Sequence, residues 1–120
     1  MNKKKISIFE IIGSGLCVSS SDGQKVHDRL ASALREGVSV SLSFLNVSTL
    51  TSAFLNSAIG QLYGEFSETE IKQLLSVQDI APDDATLLKR VVDTAKQYFA
   101  DPERFNTAIK AARGDDDDDA

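Results

Sequence analysis

Ser48, Thr49, Thr51 and Ser52 place four hydroxyls within five consecutive positions, just behind Asn46. A hydroxyl where a helix begins can do three things. It can cap free backbone N–H groups, accept a phosphoryl group, or help hold a phosphate against the positive end of the helix dipole. Other chemistries lack their residue sets. One histidine, His27, and one cysteine, Cys17, cannot furnish a structural zinc site, so no metal ligand is expected. No G-x-S-x-G elbow supports a Ser-His-Asp arrangement, and "GSG" at 13–15 is too short for a dinucleotide or P-loop fingerprint. No catalytic residue and no cofactor is expected. His27 reads as an ordinary helix residue and Cys17 as a small buried hydrophobe. Asp83, Asp84 and Glu103 sit near helix starts, where negative side chains offset the dipole.

The hydroxyl cluster lies inside Val38–Gly64, a stretch without Asp, Glu, Lys, Arg or His in a chain that is 26% charged. Burial explains the apolar positions of this stretch, because an unpaired charge there would be costly. It does not explain the outer helix positions Asn56, Ser57 and Gln61, since a solvated helix face normally carries Lys and Glu. Charge depletion marks the centre of protein interfaces. Asn46, Ser48, Thr49, Asn56, Ser57 and Gln61 are therefore expected to contact a protein partner. A membrane helix is excluded by the number of Ser, Thr, Asn and Gln side chains in the same stretch.

The 120 residues suffice for one domain, and the net charge of -5 equals the run Asp115–Asp119, leaving residues 1–114 formally neutral. A neutral body lacks the basic field of a nucleic-acid binder. Lys3–Lys5 is a short basic run at the terminus. Glu10 interrupts the apolar run behind it and Leu16 spoils a lipoprotein-type site at Cys17, so a buried first strand is preferred to a signal peptide. With one cysteine, a reducing cytoplasm is the expected location.

These side chains need elements to position them. Lys5–Ile12 reads as a strand, "GSG" as a turn, and "LCV" at 16–18 as a strand pairing back in a hairpin. Ser21 and Gln24 have capping-box spacing for a helix carrying Val26, Leu30, Ala33 and Leu34, which Gly37 ends. The alternation of Val38, Val40, Leu42 and Phe44 with serines predicts a strand over 38–44, its serine face small enough to lie under a covering helix. Thr51–Tyr63 reads as a helix, with Leu45–Leu50 as its connection. Ser67 and Glu70 make a second capping box for a short helical turn before a strand at about 73–79. Pro82 opens the longest helix, and Asp101 with Pro102 starts a last one carrying Phe105 and Ile109. The expected order is β(β)αβαβαα, an α/β mixed sheet of about four strands with helices packed on it. Residues 1–5 are expected as a flexible basic terminus, 6–112 as the domain and 113–120 as a disordered acidic tail.

The order and spacing of "DGQKVHDRLASAL", "VSVSLSFLNVSTL", "TSAFLNSAIGQLYGEF" and "LLKRVVDTAKQYF" resemble the STAS-like domain of unknown function. This bacterial family is named after the sulphate-transporter and anti-sigma-factor-antagonist domain. The resemblance implies a partner-switching protein whose partner is an ATPase or histidine-kinase-like protein that phosphorylates a Ser or Thr at the start of the helix after the central strand. Strand-to-strand alignment puts Thr51 at the family's Asp, Ser52 at its first Ser, and Ala53 at the usual acceptor. Ala53 cannot be phosphorylated, which leaves Ser52 and Thr51 as acceptor candidates. The expected function is a non-enzymatic regulatory or adaptor protein. The alternative is a small nucleotide- or phosphate-binding enzyme subunit using the 46–52 loop, which basic residues near that loop would favour.

Overall fold

The structure, a computed structural model, describes residues 3–100. The expected last helix at Asp101 and the acidic tail lie outside the described residues.

The chain opens with strand β1, Lys3–Ser7, so Lys3–Lys5 belong to the sheet and not to a loose terminus. The expected strand through Ile12 is corrected, because Ile8–Ile12 forms helix α1. Ile8, Ile11 and Ile12 stand at i, i+3 and i+4, and Ser7 Oγ accepts the Glu10 N–H at 3.1 Å as an N-cap. Gly13 ends the helix at φ 80°, a left-handed conformation that glycine adopts without cost. Strand β2 is Leu16–Cys17, and helix α2 runs Ser20–Arg35. Its cap is Ser19, which accepts the Asp22 N–H, so Ser21 lies two positions inside the helix and the expected box with Gln24 does not form. Gly37, at φ 73°, ends it as expected.

Strand β3, Ser39–Ser43, follows where alternation placed it, and β4 is the two-residue Thr49–Leu50. Helix α3 is Ser52–Ala58 only; a 3-10 turn over Gly60–Gly64 replaces the expected continuation. Glycine is a weak helix former, and Gly60 lets the chain tighten against Asn56 and Ala95. Helix α4, Glu68–Leu74, has the full Ser67–Glu70 capping box and leads directly into β5, Leu75–Gln78. Helix α5 spans Pro82–Ala100.

The expected mixed sheet with an N-terminal hairpin is also corrected. A three-stranded sheet has the order β1-β3-β5, β2 pairs with β4 in a second small sheet, and every pairing is parallel. Each connection within the larger sheet crosses over through helices, as parallel pairing requires. The register aligns Ile6 with Leu42 and Val40 with Leu75, putting these side chains on one face. Val40, Leu42 and Phe44 there join Val26, Leu30, Phe54, Leu55, Leu62 and Val91 in one core. On the other face, Ser41 Oγ donates to Gln78 Oε1 and Ser43 Oγ to Asp79 Oδ2 at 2.9 Å. The two buried hydroxyls are thus bonded by side chains at the β5 end, and Ser43 Oγ also accepts the Leu45 N–H at 3.2 Å.

Candidate functional site

The hydroxyl-rich loop is bound to the loop before β2. Asn46, at φ 69°, turns the chain beyond β3, and Val47 N–H closes on Phe44 O at 3.1 Å. The N–H groups of Ser48 and Thr49 both donate to Gly15 O, at 2.9 and 3.1 Å, and Ser48 Oγ donates to the same oxygen at 3.2 Å. Only glycine permits this approach: a Cβ at position 15 would stand 2.5 Å from Asn46 O and 3.0 Å from Ser48 Oγ. The β2–β4 pair then joins Leu16 to Thr49, and Thr51 N–H donates to Cys17 O at 3.2 Å. On these joined loops Leu16, Val18 and Leu45 are 58%, 45% and 55% exposed, three of the four exposed large hydrophobics among the described residues. Spacing did not single them out as surface residues, since Leu16 and Val18 read as part of a paired strand.

At the start of α3 the two acceptor candidates differ. Thr51 is the N-cap: its Oγ1 donates to Val18 O at 2.6 Å and accepts the Phe54 N–H at 3.2 Å. Ser52 is exposed and makes no side-chain hydrogen bond among the described residues. Ser52, Ala53 and Asn56 line one wall of a groove whose other wall is Leu87, Arg90, Val91 and Thr94 of α5. Arg90, 38 positions from Ser52 in the chain, brings a cation to a segment that has none of its own. No local sequence signal announces that neighbour.

The outer positions of α3 divide by role. Ser57 sits at the crossing with α2, donating to Ser20 O at 2.8 Å, and Gly23 lies against it so closely that a Cβ there would meet Phe54 O at 2.5 Å. Packing explains the small uncharged Ser57. Asn56 and Gln61 are exposed and share a polar hollow with Ser20, Gln24, His27 and Glu65. His27 is only 7% exposed, and its Nε2 lies 2.9 Å from Glu65 Oε2 while Nδ1 lies 3.1 Å from Asp28 Oδ1. The ring ties α2 to the end of the 3-10 turn. Hydrogen bonds from Gln24, then His27, hold the Asp28 carboxyl below its ordinary value. The predicted contact residues therefore fall into two groups: Asn46, Ser48 and Thr49 on the joined loops, and Asn56, Ser57 and Gln61 along the α2–α3 seam.

Cys17 is buried between these loops and α2, and burial first, then the charges of Asp22 and Asp84, pushes its thiol up to about 11. Among the described residues no cluster of three or more His, Cys, Asp and Glu could hold a metal ion. No described helix is long and apolar enough to cross a membrane.

Comparison with curated proteins and with solved structures finds no match. A protein-family comparison does: residues 22–85, from the first turn of α2 to the first turn of α5, match the STAS-like domain of unknown function. That stretch is more than half of the 120 residues and contains the central strand, the hydroxyl-rich loop and α3, so the chain belongs to the STAS-like domain of unknown function family.

Proposed function

We propose that this protein is a non-enzymatic regulatory or adaptor module that binds another protein through the joined loops 13–18 and 45–52. The observation that carries this reading is the exposure of Leu16, Val18 and Leu45 on loops fixed by hydrogen bonds and ringed by Asn46, Ser48, Thr49 and Ser52. Exposed aliphatic side chains on a rigid, uncharged platform match the composition of an interface centre. Family membership agrees, because STAS domains often serve as protein-interaction modules. The proposed partner is an ATPase or histidine-kinase-like protein, the proposed setting the cytoplasm, and Ser52 the acceptor it would modify. Ser52 is preferred to Thr51 because its hydroxyl is open, whereas the Thr51 hydroxyl already holds two backbone groups. A phosphate on Ser52 would stand in the groove that Arg90 lines, where a charge-assisted hydrogen bond is favourable.

The test is a capture experiment from the native host with wild type, Leu45→Ser, Ser52→Asp and Asn56→Lys, each first shown to be folded. Loss of one bound protein with Leu45→Ser and Ser52→Asp supports the reading. Retention of every bound protein by all three variants would refute it. Arg90 also favours a second reading, a phosphate-binding subunit. Titration with ATP and with inorganic phosphate, compared between wild type and Arg90→Gln, separates the two.

A further inference from the structure

The larger sheet ends on two edges of different character. Edge strand β1 carries Lys3, Lys4 and Lys5, the kind of charge that keeps an edge from recruiting another chain. Edge strand β5 is Leu-Ser-Val-Gln, with no charge at all, and Val77 on it is 39% exposed. A mostly apolar groove runs beside β5, lined by Ile59, Ile71, Leu75 and Val77 with Leu88 and Val92 of α5, and Glu68, Lys72 and Lys96 are its charged members. Its volume is about 310 Å³. An unpaired strand edge beside a helix, with an apolar slot between, is the arrangement in which an extended peptide is held. The edge supplies main-chain hydrogen bonds and the slot takes alternate side chains.

Charge along β5 gives the peptide a direction. Lys72 stands before the strand and shares a hollow with Lys3 and Ser76 that no Asp or Glu lines. Among the described residues Lys72 makes no ion pair, apart from a longer-range attraction to Glu68. Lys96, on the groove's rim, is already held by Glu68 at 2.9 Å. Asp79 follows the last residue of the strand, and Asp83 and Asp84 open α5 just beyond. The strand thus runs from a positive end to a negative end. We propose that β5 and its groove bind an extended peptide that adds antiparallel to β5, apolar at alternate positions and acidic at its C-terminal end, where it meets Lys72. This surface is separate from the joined loops and independent of the reading proposed for them.

The test uses the full chain, labelled with nitrogen-15, and two synthetic peptides of alternating Val and Thr. One peptide has Lys at its N-terminus with Asp and a free carboxylate at its C-terminus; the other has these charges exchanged, with an amidated end. The first is expected to shift the amide signals of Leu75–Gln78, Leu88 and Val92. Lys72→Glu, and more mildly Lys72→Gln, should weaken it about three- to tenfold, and Lys72→Glu should improve the charge-exchanged peptide. The fold of each variant is checked by the dispersion of its own spectrum. Four results would each overturn the proposal: no shift at millimolar peptide, shifts confined to other elements, equal binding of both peptides, or no response to either Lys72 variant. Two further results assign the groove to another occupant and equally overturn it. One is a dimer in sedimentation that Val77→Lys dissociates; the other is peptide binding that appears only when residues 101–120 are removed.

Discussion

Gly23→Ala should destabilise the protein, against the usual sign of this change in a helix. Within a helix Gly→Ala ordinarily gains about 0.5–1 kcal/mol, because alanine loses less backbone entropy on folding. Gly23 lies in the first full turn of α2, where the helix crosses α3. A Cβ there would stand 2.5 Å from Phe54 O, 2.9 Å from Ser57 Cβ and 3.3 Å from Ala58 N, all shorter than the 3.4 Å at which ordinary contact begins. Two of these atoms are backbone and cannot rotate away. The helices must separate by roughly 0.5–1 Å, loosening Phe54, Leu55 and Ala58, and overpacking of this kind costs about 1–3 kcal/mol. Set against the propensity gain, the net loss is about 1–2 kcal/mol, a fall in Tm on the order of 5 °C. Urea and thermal unfolding followed by far-UV circular dichroism measure it. A Gly23→Ala protein as stable as wild type, or more so, would refute the close crossing and with it the packing explanation for Ser57.

Other substitutions test other parts of the structure. Leu42→Ala, at a fully buried site on the central strand, should cost about 2–5 kcal/mol in urea unfolding. The Cys17 thiol, raised to about 11 and fully buried, should react with iodoacetamide near neutral pH far more slowly in the native protein than in urea; equal rates would contradict its burial. Lys96 holds the Glu68 carboxyl below its ordinary 4.5, so the folded state binds that proton more weakly than the unfolded one. The stabilisation is complete above 4.5 and lost as pH falls through the depressed folded value, so Glu68→Gln should flatten the acid limb of Tm against pH. Lys96 is raised by the same bridge, so its contribution is present below its ordinary 10.5 and lost as pH rises through the folded value.

What could be read from the sequence is what neighbouring residues decide. The Val–Ser alternation located β3, Ser67 and Glu70 located the start of α4, and Gly37 located the end of α2, because each depends on side chains a few positions apart. The misreading of Ile8–Ile12 had a local remedy. Ser7 with Glu10 has capping spacing, and Ile8, Ile11 and Ile12 have helical spacing, but a β-branched run outweighed both. The hairpin failed for a different reason. The partner of Leu16–Cys17 is Thr49–Leu50, more than thirty positions on, and no local pattern specifies it. The candidate site was legible to the same degree. Its loop and helix start were found, yet Arg90 beside Ser52, Glu65 beside His27 and the open side chains of Leu16 and Leu45 depend on how α2, α3 and α5 pack. The absence of charge has two causes within one stretch: Ser57 is small because helices cross there, while Asn46 and Ser48 belong to an exposed platform.

The joined loops are the proposed protein-binding surface. Hydrogen–deuterium exchange on the complex with the partner captured from the host tests it most directly, by comparing each amide with the free protein. Slowed exchange is expected in residues 13–18 and 45–52, with α4 and the outer face of α5 unchanged. Unchanged exchange in both loops, with protection appearing only elsewhere, would contradict it.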